Sequence, residues 1–122
     1  MSAERILIVD DDESIRQIVR LCLMDEGFEV CEARHGRAAL DAVDEFEPSL
    51  ILLDLRMPVM DGWEFARIYQ SRPGEHVPII AFLAALNAEE ECASLSAASI
   101  LSKPFDLDDL LDAVRSQLPV AT

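Results

Sequence analysis

The chain is poor in cysteine: Cys22, Cys31 and Cys92 are odd in number, far apart and without a C-x-x-C pair, which argues against a disulfide framework and a thiolate zinc site. Reduced, buried thiols are the expectation. Long apolar runs are also missing. The N-terminal run, Ile6 to Val9, is too short for the apolar region of a signal peptide, and no stretch approaches membrane-spanning length. A cytoplasmic protein is expected. Only four glycines and six prolines occur, with no low-complexity tract or repeat, so neither a flexible linker nor a solenoid is indicated. Residues 1–122, 51% of them hydrophobic, are expected to form one compact domain. Positive charge is scarce as well. Ten Lys and Arg face 24 Asp and Glu, and the net charge of −14 repels nucleic acid and anionic membrane surfaces.

What is present alternates between two patterns. Ile6–Val9 is a β-branched run without polar alternation, as in a strand buried on both faces of a parallel sheet, and it stops at Asp10. Ile15, Ile18, Val19, Cys22 and Leu23 then recur at helical spacing from Glu13 to Glu26, with Asp12 placed as N-cap and Gly27 as the residue past the end. Phe28–Ala33 reads as a second strand, and Arg37–Phe46 as a helix ended near Pro48. Leu50–Leu53, the most apolar run, also ends on an acid, Asp54. A loop with Pro58 and Gly62 leads to a helix over Trp63–Gln70. Val77–Phe82 is a fourth strand, Asn87 with Glu90 opens a short helix, and Ile100–Ser102 is a fifth strand. In the last helix Leu107, Leu110, Leu111, Val114 and Leu118 form one stripe, with Asp106 as cap and Pro119 beyond its end. Strands alternating with helices imply parallel pairing, right-handed crossovers and helices on both faces of the sheet.

Ligands of such sheets bind at the carboxyl ends of the strands. That edge receives Asp10 and Asp11 from strand one, Asp54 from strand three and Lys103, the chain's only lysine, from strand five. Crowded carboxylates stay ionised only if a cation shares the site, and an oxygen-only donor set suits Mg²⁺ or a similar hard ion. A carboxylate flanked by a divalent cation and an ammonium group is equipped to attack phosphorus, which makes Asp54 the candidate nucleophile. Acids after strands often just cap the next helix, and that reading is preferred for Asp12 and Asp106. His35 and His76 stand alone in loop regions and are expected to be solvated, while Trp63 is expected to pack under the first turn of its helix.

Ile6-Leu-Ile-Val-Asp10-Asp11-Asp12, Leu52-Leu-Asp54-Leu-Arg-Met-Pro58-Val-Met-Asp61-Gly62 and Lys103-Pro104-Phe105 resemble, in order and at about the right spacing, the signature blocks of the receiver domain of two-component response regulators. The resemblance covers almost the whole chain. It implies a flavodoxin-like (βα)5 fold, a doubly wound parallel sheet ordered 2-1-3-4-5. It also implies that Asp54 accepts a phosphoryl group from a histidine kinase or phosphotransfer protein. Mg²⁺ would be ligated by Asp11, Asp54 and the backbone carbonyl of Arg56, with Asp10 binding it through water. Lys103 would pair with the phosphoryl oxygens, and Ala84 would supply the small side chain beside the site. Such a chain is a phosphoacceptor, promoting its own phosphorylation and dephosphorylation, and not an enzyme in the usual sense.

Two positions depart from the family pattern. Leu83 stands where the family has a switch Thr or Ser at the end of strand four, and no hydroxyl side chain occurs from Phe82 to Glu91. Ile100 replaces the partner aromatic on strand five, and the segment near Ser96 lacks the usual Gly-Ala. The acid pocket is thus expected to work while its coupling to the region 88–118, the expected face for an output partner, is weakened or rerouted, because one differential contact is gone. Two rival readings follow. One is an interaction module on the same fold that docks through 88–118 without phosphorylation. The other is an aspartate-nucleophile phosphatase, since Asp10-Asp11-Asp12-Glu13-Ser14 matches a D-x-D-x-S pattern, although strand three ends in an acid where Ser or Thr would be wanted.

Overall fold

The computed structural model describes residues 4–55, 57, 59–83, 97–103 and 105–118. Five strands, β1 (Arg5–Val9), β2 (Glu29–Ala33), β3 (Leu50–Asp54), β4 (Ile79–Leu83) and β5 (Ser99–Ser102), form one parallel sheet ordered β2-β1-β3-β4-β5. Among the described residues four helices connect or follow them: α1 (Glu13–Asp25), α2 (Gly36–Phe46), α3 (Gly62–Ser71) and α4 (Leu107–Gln117). This is the flavodoxin-like order that the resemblance implies. The expected helix opening at Asn87 with Glu90 lies outside the described residues, as do Cys92, Ser96 and Pro119.

Successive strand residues point to opposite faces, so each apolar run feeds two cores. Leu7, Val9, Ile51, Leu53, Ile79 and Ala81 meet Ala39 and Leu40 of α2 and Phe65, Ala66 and Tyr69 of α3. Ile6, Ile8, Leu50, Leu52, Ile80 and Phe82 meet Val19 and Leu23 of α1 and Leu110, Leu111 and Val114 of α4. Both faces are covered, which is why these strands show no polar alternation. Trp63 packs against the first of these cores, as expected.

Helix ends explain most boundary shifts. The Asp12 carboxylate accepts from the amides of Ser14 and Ile15 at 2.9 and 3.2 Å. At the far end of α1, Gly27 adopts φ 92° and donates to Met24, while Phe28 donates to Leu23. This double closure uses Phe28's amide, so β2 begins at Glu29 and not at Phe28. Val77 is likewise diverted, its amide donating to the Tyr69 hydroxyl at 2.8 Å, and β4 begins at Ile79.

Several expectations are corrected. His35 is not a solvated loop residue: it is half-buried and is the N-cap of α2, its Nδ1 accepting from the Ala38 amide at 3.1 Å. His76 is exposed, as expected, and its ring packs edge-on against Tyr69 with its Nε2 2.7 Å from the Arg72 carbonyl. Asp106 occupies the N-cap position of α4 but makes no capping hydrogen bond; Asp108 and Asp109 already place negative charge in that first turn. Leu107 is 41% and Ile18 54% exposed, because each lies at the edge of its helix's apolar stripe, beyond what the sheet covers. Cys22 and Cys31 are free but only partly buried. Burial, with Glu26, Asp25 and Asp108 nearby, pushes the Cys22 thiol up and keeps it protonated.

The two caps differ in a measurable way. Asp12→Ala should lower stability by about 1 kcal/mol, the usual worth of a bonded N-cap. Asp106→Ala, with no bond to lose, should change it by only a few tenths, roughly the value of a dipole interaction. Urea unfolding of the two variants side by side checks both.

Candidate functional site

The strand order places a topological switch between β1 and β3, since the chain leaves β1 for β2 on one side and returns to β3 on the other. Ligand crevices open at the carboxyl edge of such a point. Val9 pairs with Leu53, so the next residues, Asp10 and Asp54, emerge side by side. Leu83 pairs with Ser102, so Lys103 emerges one step past β5 on the same edge. Phe105 then packs on Phe82, ring centroids 4.8 Å apart, anchoring the segment just after Lys103 to the sheet.

Asp10 is fully buried and Asp54 is 5% exposed, while Asp11 faces solvent. Each of the three offers a carboxylate oxygen within 4.8 Å of the others. Lys103 Nζ reaches back to Asp10 Oδ2 at 3.1 Å and Asp54 Oδ1 at 3.3 Å. Asp10 Oδ1 accepts from the Asp12 amide at 2.9 Å. Three carboxylates and one ammonium leave two net negative charges, so the donor set fits a hard divalent cation. Asp10, Asp11, Asp54 and Lys103 therefore come together as expected. Leu83 is the last residue of β4, and Ile100 pairs with Ala81. Arg56, Pro58, Ala84 and Pro104 lie outside the described residues.

Burial alone would pull the Lys103 ammonium's pKa down, but Asp10 and then Asp54 outweigh it and hold it above the usual lysine range. A raised folded-state value means that Lys103 contributes stability fully below the unfolded lysine pKa, about 10.4, and loses it as pH rises through the folded value. The deficit of Lys103→Met in metal-free unfolding experiments should therefore be constant from neutral pH to about pH 9 and shrink only above the unfolded value.

Two supporting contacts are not apparent from the sequence. The Arg16 guanidinium donates to the Asp10 carbonyl at 2.6 Å, and Gly62 packs directly against the Asp54 carbonyl. Gly62 closes the second signature block, but the pattern does not give its contact with Asp54, and the role of Arg16 shows only once α1 lies beside the tip of β2.

A family model of the response regulator receiver domain matches residues 6–115, and the chain belongs to that family. It is similar to sporulation initiation phosphotransferase F of Bacillus subtilis, 37% identical over 121 residues covering 98% of each chain. Other curated relatives at 38–39% identity are longer, and the chain spans 50% of their length. Among solved structures, the chemotaxis response regulator CheY4 of Vibrio cholerae superposes with a TM-score of 0.87 at 34% identity, covering 95% of this chain and 99% of that one. The receiver domain of sensor histidine kinase PA1611 from Pseudomonas aeruginosa, solved with a magnesium ion coordinated in its active site cleft, gives 0.86 at 29% identity, covering 94% and 97%.

The phosphatase reading falls on geometry as well as on family. Its nucleophile would be Asp10, which is fully buried with both carboxylate oxygens engaged, by the Asp12 amide and by Lys103.

Proposed function

We propose that residues 1–122 act as one receiver unit that takes a phosphoryl group on Asp54 from a phosphohistidine on a histidine kinase or phosphotransfer protein. The observation that carries this reading is the convergence of Asp10, Asp11 and Asp54 within 4.8 Å, with one ammonium bridging two of them. Asp11 and Asp54, helped by the Arg56 carbonyl and by Asp10 through water, are the groups that would hold Mg²⁺. When bound, the ion neutralises charge on the phosphoryl oxygens. An Asp54 oxygen forms the new bond to phosphorus as the bond to the imidazole nitrogen breaks, and the departing ring takes up a proton from water. Lys103 balances a further oxygen, and the buried floor of Asp10 and Asp54 limits the water that could compete. Likeness to a named phosphotransferase and to a magnesium-bearing receiver supports both parts.

Signal output is the less ordinary part of the reading. Leu83 ends β4 beside the pocket and Ile100 lies on β5, so no hydroxyl or aromatic from these positions can answer the phosphoryl group. The response through 88–118 is accordingly weak or follows another route. Those same two residues favour the second reading, a docking module indifferent to phosphorylation. Incubation with acetyl phosphate and Mg²⁺, followed by intact mass, separates the two: one phosphoryl adduct supports the acceptor reading, and none on the unmutated chain supports the second.

A further inference from the structure

Asp10 is gripped through its backbone as well as its carboxylate. Its amide donates to the Ala33 carbonyl at 3.1 Å, and its own carbonyl accepts from Arg16 Nη1 at 2.6 Å. Arg16 lies on the first turns of α1, its amide bonded to the Asp12 carbonyl, and its side chain is only 14% exposed. The other side of its guanidinium meets Glu32 on β2, with Nε 3.2 Å from Oε1. Glu32's second oxygen faces Arg20 Nε at 3.2 Å as an ion pair without hydrogen-bond geometry. The tip of β2, Glu32 and Ala33, therefore holds Asp10 at both ends, directly through Ala33 and indirectly through Arg16.

The peptide plane fixed in this way joins Asp10 to Asp11, the buried acid to the exposed one. Rotation of that plane would turn the Asp11 backbone and carry its carboxylate away from Asp54. We propose that Arg16 is a positioning residue for the metal site: it orients the Asp10–Asp11 peptide so that the Asp11 and Asp54 carboxylates meet the same cation. The inference rests on the acceptor reading above, since it concerns the ion that reading requires.

Charge and geometry predict opposite signs here. As a mere neighbouring charge, Arg16 repels a divalent cation, so removing it would tighten Mg²⁺ binding. As an orienting partner of a ligand, its removal should weaken binding, and such partners typically account for about 10–100-fold in metal affinity. Methionine keeps the length of the side chain while deleting both charge and hydrogen bonds. Lysine keeps the charge and one donor direction but cannot reach the Asp10 carbonyl and Glu32 together.

The test is calorimetric titration of MgCl₂ into the full chain, with metal-free thermal midpoints as the control for folding. Arg16→Met should bind Mg²⁺ about 10-fold more weakly than wild type, Arg16→Lys less so, and Glu32→Gln only a few-fold. Equal or tighter binding by Arg16→Met overturns the inference and leaves the acceptor reading standing. Should Arg16→Met fail to fold, the lysine and glutamine variants decide the matter, and unchanged affinity in both overturns it. No Mg²⁺ binding by the unmutated chain overturns the acceptor reading and the inference together.

Discussion

Asp54→Asn is expected to take up no phosphoryl group from acetyl phosphate at any Mg²⁺ concentration, while the unmutated chain takes up one. Asparagine keeps the shape but not the anionic oxygen that must bond to phosphorus. The acids nearby do not take over: Asp10 is wholly buried with both oxygens engaged, and Asp11 stands on the solvent side without the contact to Lys103 that Asp54 has. The same variant should be more stable than wild type without metal. Asp54 is one of three carboxylates whose oxygens lie within 4.8 Å of one another, so the amide removes one of the like charges gathered at the metal-free site. Relief of about one uncompensated charge at this partly screened edge is worth on the order of 1 kcal/mol. Saturating Mg²⁺ should erase that advantage, because wild type gains binding energy that the amide forgoes. Urea unfolding with and without MgCl₂ reads the crossing, and a variant less stable than wild type in both conditions would contradict the proposed repulsion.

The residues of the acidic site were legible because the sequence marks them abruptly. Asp10 and Asp54 each stop an uninterrupted apolar run, and with parallel pairing two such stops on neighbouring strands must meet. Lys103 was legible as the sole lysine at the end of a strand. The supporting residues were not, since their roles arise between segments. Arg16 looks like any helix-surface arginine until α1 is laid against the tip of β2. Capping shows the same limit in a single residue type. Asp12 and Asp106 both precede an apolar-periodic helix, yet only Asp12 turns its carboxylate onto the free amides. His35 caps α2 although the residue is an unusual cap, and no pattern of apolar residues could have flagged it. Periodicity likewise reports that α1 has an apolar stripe but not how much of it the sheet covers, and Ile18, on that stripe, is 54% exposed.

Gly62→Ala should be among the most damaging single-methyl changes in the chain. After β3 the backbone turns and comes back, so that the Gly62 amide donates to Leu55 at 3.0 Å and α3 starts against the strand it has just left. A Cβ on Gly62 would lie 2.5 Å from the Asp54 carbonyl oxygen, 2.7 Å from Leu55 Cα and 2.8 Å from Leu55 Cδ2. Two of those neighbours are backbone at the end of the central strand, Asp54 its last residue and Leu55 the next, so a rotamer change cannot relieve the clash. Either β3 moves or the first turn of α3 lifts, taking with it the Asp61 cap on Glu64. Overpacking of this kind costs roughly 1–3 kcal/mol, and rigid backbone on two sides puts the expectation near the top of that range. Gly27 provides the contrast. Its φ of 92° disfavours alanine, yet nothing lies within 4 Å of the added carbon, so Gly27→Ala should cost only about 1 kcal/mol of conformational strain. Function should separate the two more sharply than stability does. Displacing the Asp54 carbonyl tilts the acceptor carboxylate, so Gly62→Ala should slow adduct formation even at temperatures where it remains folded, while Gly27→Ala, at the far end of α1, should leave the rate unchanged. Equal rates in both variants would mean that the close packing at Gly62 serves the fold alone.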